Sequence, residues 1–206
     1  MYRSSSKKCI LIRHGLTAEN LEKRYIGRRS DVPLSDDGKE AAKAAGIRYG
    51  RLLPEGDYSL YSSPMLRAKE TTELLFPGEE YEVRDEFSEI DFGEFDGRSY
   101  YELNGNPVYQ EWVDGGAVGA FPGGETRDEF VNRTMKGFYE ILGSGSDMTV
   151  IIGHMGTIRA VMNTLFKDDY FSYTVDNLSG YGIDYRVEDN EYVFLSYDSI
   201  APGSNT

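Results

Sequence analysis

Two short apolar runs, each ending directly in a histidine, constrain this chain more than any other feature. Cys9-Ile10-Leu11-Ile12 runs into Arg13-His14-Gly15, and Met148-Thr149-Val150-Ile151-Ile152 runs into Gly153-His154. Runs this short, apolar and partly β-branched read as strands buried on both faces. Helical stretches separate them. Ser35 reads as an N-cap before the helix-forming Glu40-Ala41-Ala42-Lys43-Ala44-Ala45. Tyr58 to Ser62 reads as another strand, followed by Ser63 as N-cap and Pro64 at the first helical position. That helix places Leu66, Leu74 and Leu75 on its buried side and Arg67 in its first turn. Strands alternating with helices predict an α/β fold of three layers, a mainly parallel sheet flanked by helices. In such sheets ligands sit beyond the carboxyl ends of the strands, where both histidines fall.

The rest of the chain fits one domain over residues 1–206. Val83 to Gly97 is acidic and punctuated by glycine. Residues 98–126 are aromatic and carry Pro107, Gly115-Gly116 and Pro122-Gly123-Gly124. They read as a loop-rich lid with a helix near Pro107 to Trp112. Thr126 and Glu129 have capping-box spacing. The helix they start runs through Phe130, Met135, Phe138 and Leu142, and Gly143-Ser144-Gly145-Ser146 stops it. Residues 156–166 read as a helix, and two alternating strands follow, Tyr181 to Val187 and Tyr192 to Tyr197.

Charge and composition exclude several functions. The net charge is −13, from 22 basic and 35 acidic side chains. No fold-wide positive field is available for nucleic acid. Any anion site must be a local cationic cluster against an acidic background. No run approaches the roughly 18 apolar residues that cross a membrane. The polar N-terminus lacks the apolar core of a signal peptide. With the lone Cys9, which excludes an internal disulfide framework, this predicts a cytoplasmic protein. Two histidines exclude a His-rich metal site, and no cofactor is expected.

The chemistry suggested by the strand ends is phosphate chemistry. Arg13 and His14 sit at one strand end, Arg67 in the first turn of a helix, and His154 before another helix start. Two guanidinium groups, two imidazoles and helix N-termini together make an anion pocket. Histidine is also a competent nucleophile. Glu86, Glu89, Asp91 and Glu94 are carboxyls that could protonate a leaving alkoxide. Nine acidic residues lie between Glu79 and Asp96, so most of them form a solvated face. Alone, either histidine would read as a satisfied structural side chain, and Cys9 as a small buried one.

Five blocks in order carry a family resemblance: residues 11–20 around Arg13-His14-Gly15, 62–71 around Arg67, 89–97 from Glu89 to Gly97, 122–126, and 152–159 around His154. Together they resemble the histidine phosphatase (phosphoglycerate mutase-like) superfamily. Leu16 stands where that family commonly has Glu. The resemblance implies a phosphohistidine formed on His14. It implies phosphoryl contacts from Arg13, Arg67 and His154, and substrate contacts from Thr17, Asn20 and the backbone N–H of Gly156. It assigns Glu89, four residues before a glycine, as the general acid and then the base. No metal is implied, and the partner is a small phosphorylated substrate. His14 must attack as neutral imidazole, its other nitrogen held by a backbone carbonyl.

Within the family, the block from Glu89 to Gly97 most resembles α-ribazole phosphatases and broad-specificity bacterial phosphatases. A cofactor-dependent mutase would carry extra basic residues and a tyrosine near the general acid. Here Phe92 stands three residues after Glu89, and Ser99 to Thr126 holds no lysine or arginine. The expectation is a phosphomonoesterase for a less charged or partly apolar substrate such as α-ribazole 5′-phosphate. A mutase and a non-catalytic phospholigand-binding module are the alternatives.

Overall fold

In the computed structural model both apolar runs become neighbouring strands of one six-stranded sheet. Residues 6–54, 56–116, 119–143 and 146–202 are described. Met1–Ser5 of the polar N-terminus and Ser144-Gly145 of the expected helix stop lie outside them. The strands are β1 (Lys7–Arg13), β2 (Tyr58–Ser62), β3 (Glu82–Val83), β4 (Met148–Gly153), β5 (Gly180–Glu188) and β6 (Glu191–Ile200). Their order is β3-β2-β4-β1-β5-β6. The first four run parallel, and β5 and β6 add an antiparallel hairpin beside β1. The parallel pair β1 and β4 sets Arg13 opposite Gly153, so both histidines leave the sheet side by side.

The helices are α1 (Ala18–Leu21), α2 (Asp36–Tyr49), α3 (Leu66–Leu75), α4 (Tyr100–Leu103), α5 (Pro107–Asp114), α6 (Arg127–Leu142) and α7 (Met155–Phe166). Alternation along the strands divides the core into layers. Cys9, Leu11 and Ile151 pack on one face against Phe138 and Ile141 of α6 and Ile158, Val161 and Met162 of α7. Ile10, Ile12, Val150 and Ile152 pack on the other face against Ala42, Ala45 and Tyr49 of α2 and Ala68 and Leu75 of α3. Each such buried aliphatic side chain contributes about 1.5–3 kcal/mol. Cys9 is one of them; burial pushes its thiol up, which leaves it inert packing.

Two local expectations are corrected. Helix α3 begins at Leu66 with Met65 as N-cap, and Ser63 does not cap it. Its buried face is Arg67, Ala68, Thr71, Thr72 and Leu75, while Leu66 and Leu74 are only half-buried. Within residues 98–126 the helix expected near Pro107 to Trp112 is present as α5, and α4 precedes it. A capping box between Ser99 and Glu102 starts α4, and Asn106 with Pro107 starts α5. A third core lies beneath them, where Ile90, Phe95, Leu103, Tyr109 and Phe121 meet Phe130 and Ala160. Among the described residues no helix is long and apolar enough to cross a membrane.

Candidate active site

The ends of β1 and β4 are tied together before any side chain acts. His14 N donates to Gly153 O at 2.9 Å, and Ser63 N donates to Ile152 O at 2.9 Å. The ring centroids of His14 and His154 lie 5.2 Å apart. His14 Nδ1 lies 2.7 Å from Gly15 O. A carbonyl only accepts, so Nδ1 carries the ring hydrogen and Nε2 keeps its lone pair. Gly15 has no positive φ; what it supplies is room, because a Cβ there would stand 3.2 Å from Leu34 Cδ2.

The second imidazole is held by a hydroxyl. His154 Nε2 lies 2.7 Å from Ser63 Oγ, and the same oxygen accepts from Met65 N at 3.3 Å. A hydroxyl both donates and accepts, so this bond orients the His154 ring without fixing its tautomer. Burial, then the charges of Arg67 and Arg13, hold the His14 pKa well below the usual histidine range. For His154 the causes are burial, then Arg67, His14 and Arg13. Both rings are neutral at ordinary pH.

Arg67 is 1% exposed. Its Nη1 donates to Ser30 O at 3.0 Å, and Nη2 to Ile26 O at 3.2 Å and Gly27 O at 3.3 Å. Arg13 Nη1 donates to Val175 O at 2.9 Å. Among the described residues Arg13 Nε, Arg67 Nε and His154 Nδ1 are buried and have no hydrogen-bond partner. An unpaired buried polar group costs about 1–3 kcal/mol. Two such guanidinium donors beside the histidine pair suit an anion with several oxygens.

Glu89 faces this cationic cluster, and its charge acts on both Arg13 and Arg67. Its Oε1 accepts from Ile90 N at 2.9 Å and its Oε2 from Gly156 N at 3.2 Å. The Gly156 N–H is therefore spent on Glu89 and not on an anion. A Cβ on Gly156 would lie 2.1 Å from Glu89 Oε1, so the carboxylate reaches the N-terminus of α7 only over a glycine. The other acidic candidates point elsewhere. Glu86 pairs with Arg84, Asp91 pairs with Arg29, and Glu94 is exposed.

Asn20 lies on the one-turn helix α1, and Thr17 caps its N-terminus. The Thr17 hydroxyl accepts from Asn20 N at 3.2 Å, and Asn20 Oδ1 accepts from Thr17 N at 3.3 Å. Thr17 thus aligns Asn20.

Three supporting residues escape sequence reasoning. Ser63 carried only a helix-cap signal. Asn177 Nδ2 donates to His14 O at 2.9 Å, Gly15 O at 3.2 Å and Asn20 Oδ1 at 3.2 Å. Arg133 of α6 donates to Glu86 O, Ser88 O and Glu89 O at 2.8, 2.9 and 3.1 Å, and pairs with Glu125 at 2.7 Å. It braces the segment that carries Glu89. Neither Asn177 nor Arg133 stands in a motif that would single it out.

A cavity of about 280 Å³ is lined by Glu89 and Gly156. Phe92, Trp112, Phe121, Tyr170 and Phe171 give it aromatic walls. Tyr109 instead packs in the lid core, and Tyr100 and Tyr101 are exposed. Arg127 and Arg159 line the cavity as well. Residues 99–126 hold no lysine or arginine, as the sequence shows, and the cavity beside them takes two cations from α6 and α7. Among the described residues no group of three or more His, Cys, Asp or Glu is placed to hold a metal.

Comparison with known proteins places this geometry. The sequence signature of the histidine phosphatase superfamily (branch 1) matches residues 9–198. The 2,3-bisphosphoglycerate-dependent phosphoglycerate mutase 2 of Gloeobacter violaceus is 28% identical over 169 residues, 76% of this chain and 74% of that protein. A putative phosphoserine phosphatase 2 of Hydrogenobacter thermophilus is 25% identical over 160 residues, 76% of this chain and 77% of that protein. The crystal structure of a putative α-ribazole-5′-P phosphatase from Escherichia coli superposes with a TM-score of 0.80. The match covers 98% of this chain and 100% of that one, at 20% identity, and it speaks to the fold.

Proposed function

Because this chain belongs to the histidine phosphatase superfamily, we propose that it is a metal-independent phosphomonoesterase that works through a phosphohistidine on His14. The observation that carries the reading is the His14 ring set beside buried cationic donors. His14 Nδ1 is held by Gly15 O, which leaves Nε2 as a nucleophile, and among the described residues Arg13 Nε, Arg67 Nε and His154 Nδ1 are buried without a partner.

In this mechanism the phosphoryl group of a small phosphomonoester sits among those donors, with Asn20 Nδ2 as a further one. Thr17 and Gly156 act through Asn20 and Glu89. His14 Nε2 attacks phosphorus, the ester P–O bond breaks, and Glu89 gives its proton to the departing oxygen. Water then attacks the phosphohistidine, Glu89 takes a proton from it, and the P–N bond breaks. Inorganic phosphate leaves and His14 regains its lone pair. Arg13, Arg67 and His154 neutralise charge on the equatorial oxygens in both steps, which is the main demand of phosphoryl transfer. Charge neutralisation needs no metal here, because fixed cations and N–H donors supply it.

The aromatic walls of the cavity favour a leaving group with an apolar face. Mutase action is the second reading, favoured by Arg127 and Arg159, which could hold a second acidic group. The test is turnover of an aryl phosphate with EDTA present by the wild type and by His14→Ala, with rapid-quench trapping of the phosphoenzyme. We expect an acid-labile phosphoenzyme in the wild type and no turnover in the variant. Activity that survives His14→Ala, or that disappears in EDTA, would overturn the mechanism. Phosphoryl transfer to a second monophosphate in place of water would support the mutase.

A further inference from the structure

A second cavity, of about 380 Å³, lies at the other end of the sheet from the histidines. Lys8 at the start of β1 and Met148 at the start of β4 pair in register, and both line it. About 20 Å of strand separates Lys8 from His14. The volume suits a small molecule. One wall is aliphatic: Ile10 and Ile200 are buried there, and Leu52 and Met148 are half-buried. The rest of the lining carries three cations, Lys8, Arg48 and Arg51.

A glycine keeps this space open. Gly182 stands inside β5, opposite Ile10 of β1. A glycine within a strand weakens it and marks the close approach of another backbone or of a ligand. Backbone approach explains Gly180 of the same strand, whose Cβ would lie 1.7 Å from Leu11 O. It does not explain Gly182. The nearest atoms to a Cβ there are side-chain atoms of the cavity wall, Ile200 Cδ1 at 3.1 Å and Lys8 Cε at 4.0 Å.

The charges select the ligand. Lys8 Nζ is answered by Asp184 Oδ1 at 3.6 Å. Arg48 Nη1 donates to Ala201 O, and in number Arg48 is offset by Asp198, which also lines the cavity. Arg51, in the turn after α2, is exposed and makes no hydrogen bond or ion pair among the described residues. One positive charge is thus left for a ligand, in a chain whose net charge is −13. A phosphomonoester carries close to two negative charges at pH 7, and a carboxylate carries one.

We propose that this cavity is a binding site for a small aliphatic carboxylate. Its hydrocarbon chain lies against Ile10, Leu52, Met148 and Ile200, over Gly182, and its carboxylate meets Arg51. The site is separate from the catalytic cavity and does not depend on the phosphatase reading.

The experiment is an NMR titration of the full chain, labelled at the Ile and Met methyl groups, with octanoate, octylammonium and octanol. Octanoate should shift the Met148, Ile10 and Ile200 methyls and saturate with a Kd of about 0.1–1 mM, as ordinary ligand efficiency gives for its size. Octylammonium and octanol should bind at least about tenfold more weakly. Arg51→Glu should weaken octanoate at least about tenfold, and Gly182→Val, which fills the cradle, should abolish its binding. If Gly182→Val does not fold, Arg51→Glu decides, since its side chain is exposed. Absence of saturable shifts at these methyls up to about 10 mM octanoate would overturn the proposal. Equal binding of octanoate and octylammonium, or octanoate binding that Arg51→Glu leaves unchanged, would overturn it too. Shifts confined to Met155, which lines the cavity beside Glu89, would place the ligand in the catalytic cavity and likewise overturn it.

Discussion

Replacing Gly156 with alanine should damage the reaction according to how badly the leaving group needs a proton. The added Cβ would lie 2.1 Å from Glu89 Oε1 and 3.0 Å from Phe130 Cζ, where ordinary contact begins near 3.4 Å. The carboxylate must retreat by more than 1 Å, and the 3.2 Å bond from Gly156 N to Oε2 goes with it. A displacement of about 1 Å in a catalytic group costs about 10²-fold, and complete loss of a general acid about 10²–10⁴-fold. We therefore expect kcat/KM for an alkyl phosphate to fall about 10²-fold. The loss on p-nitrophenyl phosphate should stay below about fivefold, because nitrophenolate leaves without a proton. Stability should change little: alanine gains about 1 kcal/mol in helix propensity over glycine, set against crowding at Phe130. The assay is steady-state kinetics on the two esters, with thermal unfolding of both proteins alongside. Equal losses on the two esters, with Tm unchanged, would refute Glu89 as the proton donor.

Three other perturbations probe the surrounding shell. Both buried histidines are held neutral, whereas in the unfolded chain each takes a proton near pH 6.5. The unfolded state then binds more protons, so stability falls as pH drops below about 6.5, by up to about 1.4 kcal/mol per pH unit for each ring. Urea melts between pH 7.5 and 5 should show this slope and its halving in His154→Gln; a slope that His154→Gln leaves untouched would count against the buried neutral ring. Ser63→Ala removes the hydroxyl bonded to His154 Nε2 and should lower kcat about 5–10-fold, with partial recovery in Ser63→Thr, read by kinetics on an aryl phosphate. Asn177→Ala strips a donor from His14 O, Gly15 O and Asn20 Oδ1 and should cost about 1–3 kcal/mol, measured by chemical denaturation.

Legibility in the sequence followed the range of the interaction. Strands β1 and β4 were plain because a strand buried on both faces reads as an apolar run, and β2 because its tyrosines and Leu60 favour a strand. Thr126 and Glu129 announced α6 because a capping box is a contact three residues long. Ser63-Pro64 misled for the same reason. It has the local form of a helix start, but a partner 91 residues away, His154 Nε2, takes the Ser63 hydroxyl. The site residues that belong to family blocks, Arg13, His14, Arg67, Glu89 and His154, are brought to one end of the sheet. Arg133 and Asn177 were invisible, since what defines them is backbone carbonyls far away in sequence. Arg127 and Arg159 were in plain view on helices. A count of cations confined to the lid could not show that two neighbouring helices turn theirs into the same cavity.

The register of β1 sets a timetable for synthesis. This strand carries Arg13 and leads into His14, but its hydrogen-bonding partners β4 and β5 are made much later than it is. Arg13 N bonds Ser179 O, Arg13 Nη1 bonds Val175 O, and Leu178 N bonds Arg13 O. Parallel pairing across so long a separation is a slow, late event in folding. Until β4 is made β1 has an open edge on either side, and until β5 is made one edge stays open. An exposed apolar strand is the main hazard of that interval. The bonds that seat Arg13 and the protection of β1 from aggregation arrive in the same closing step.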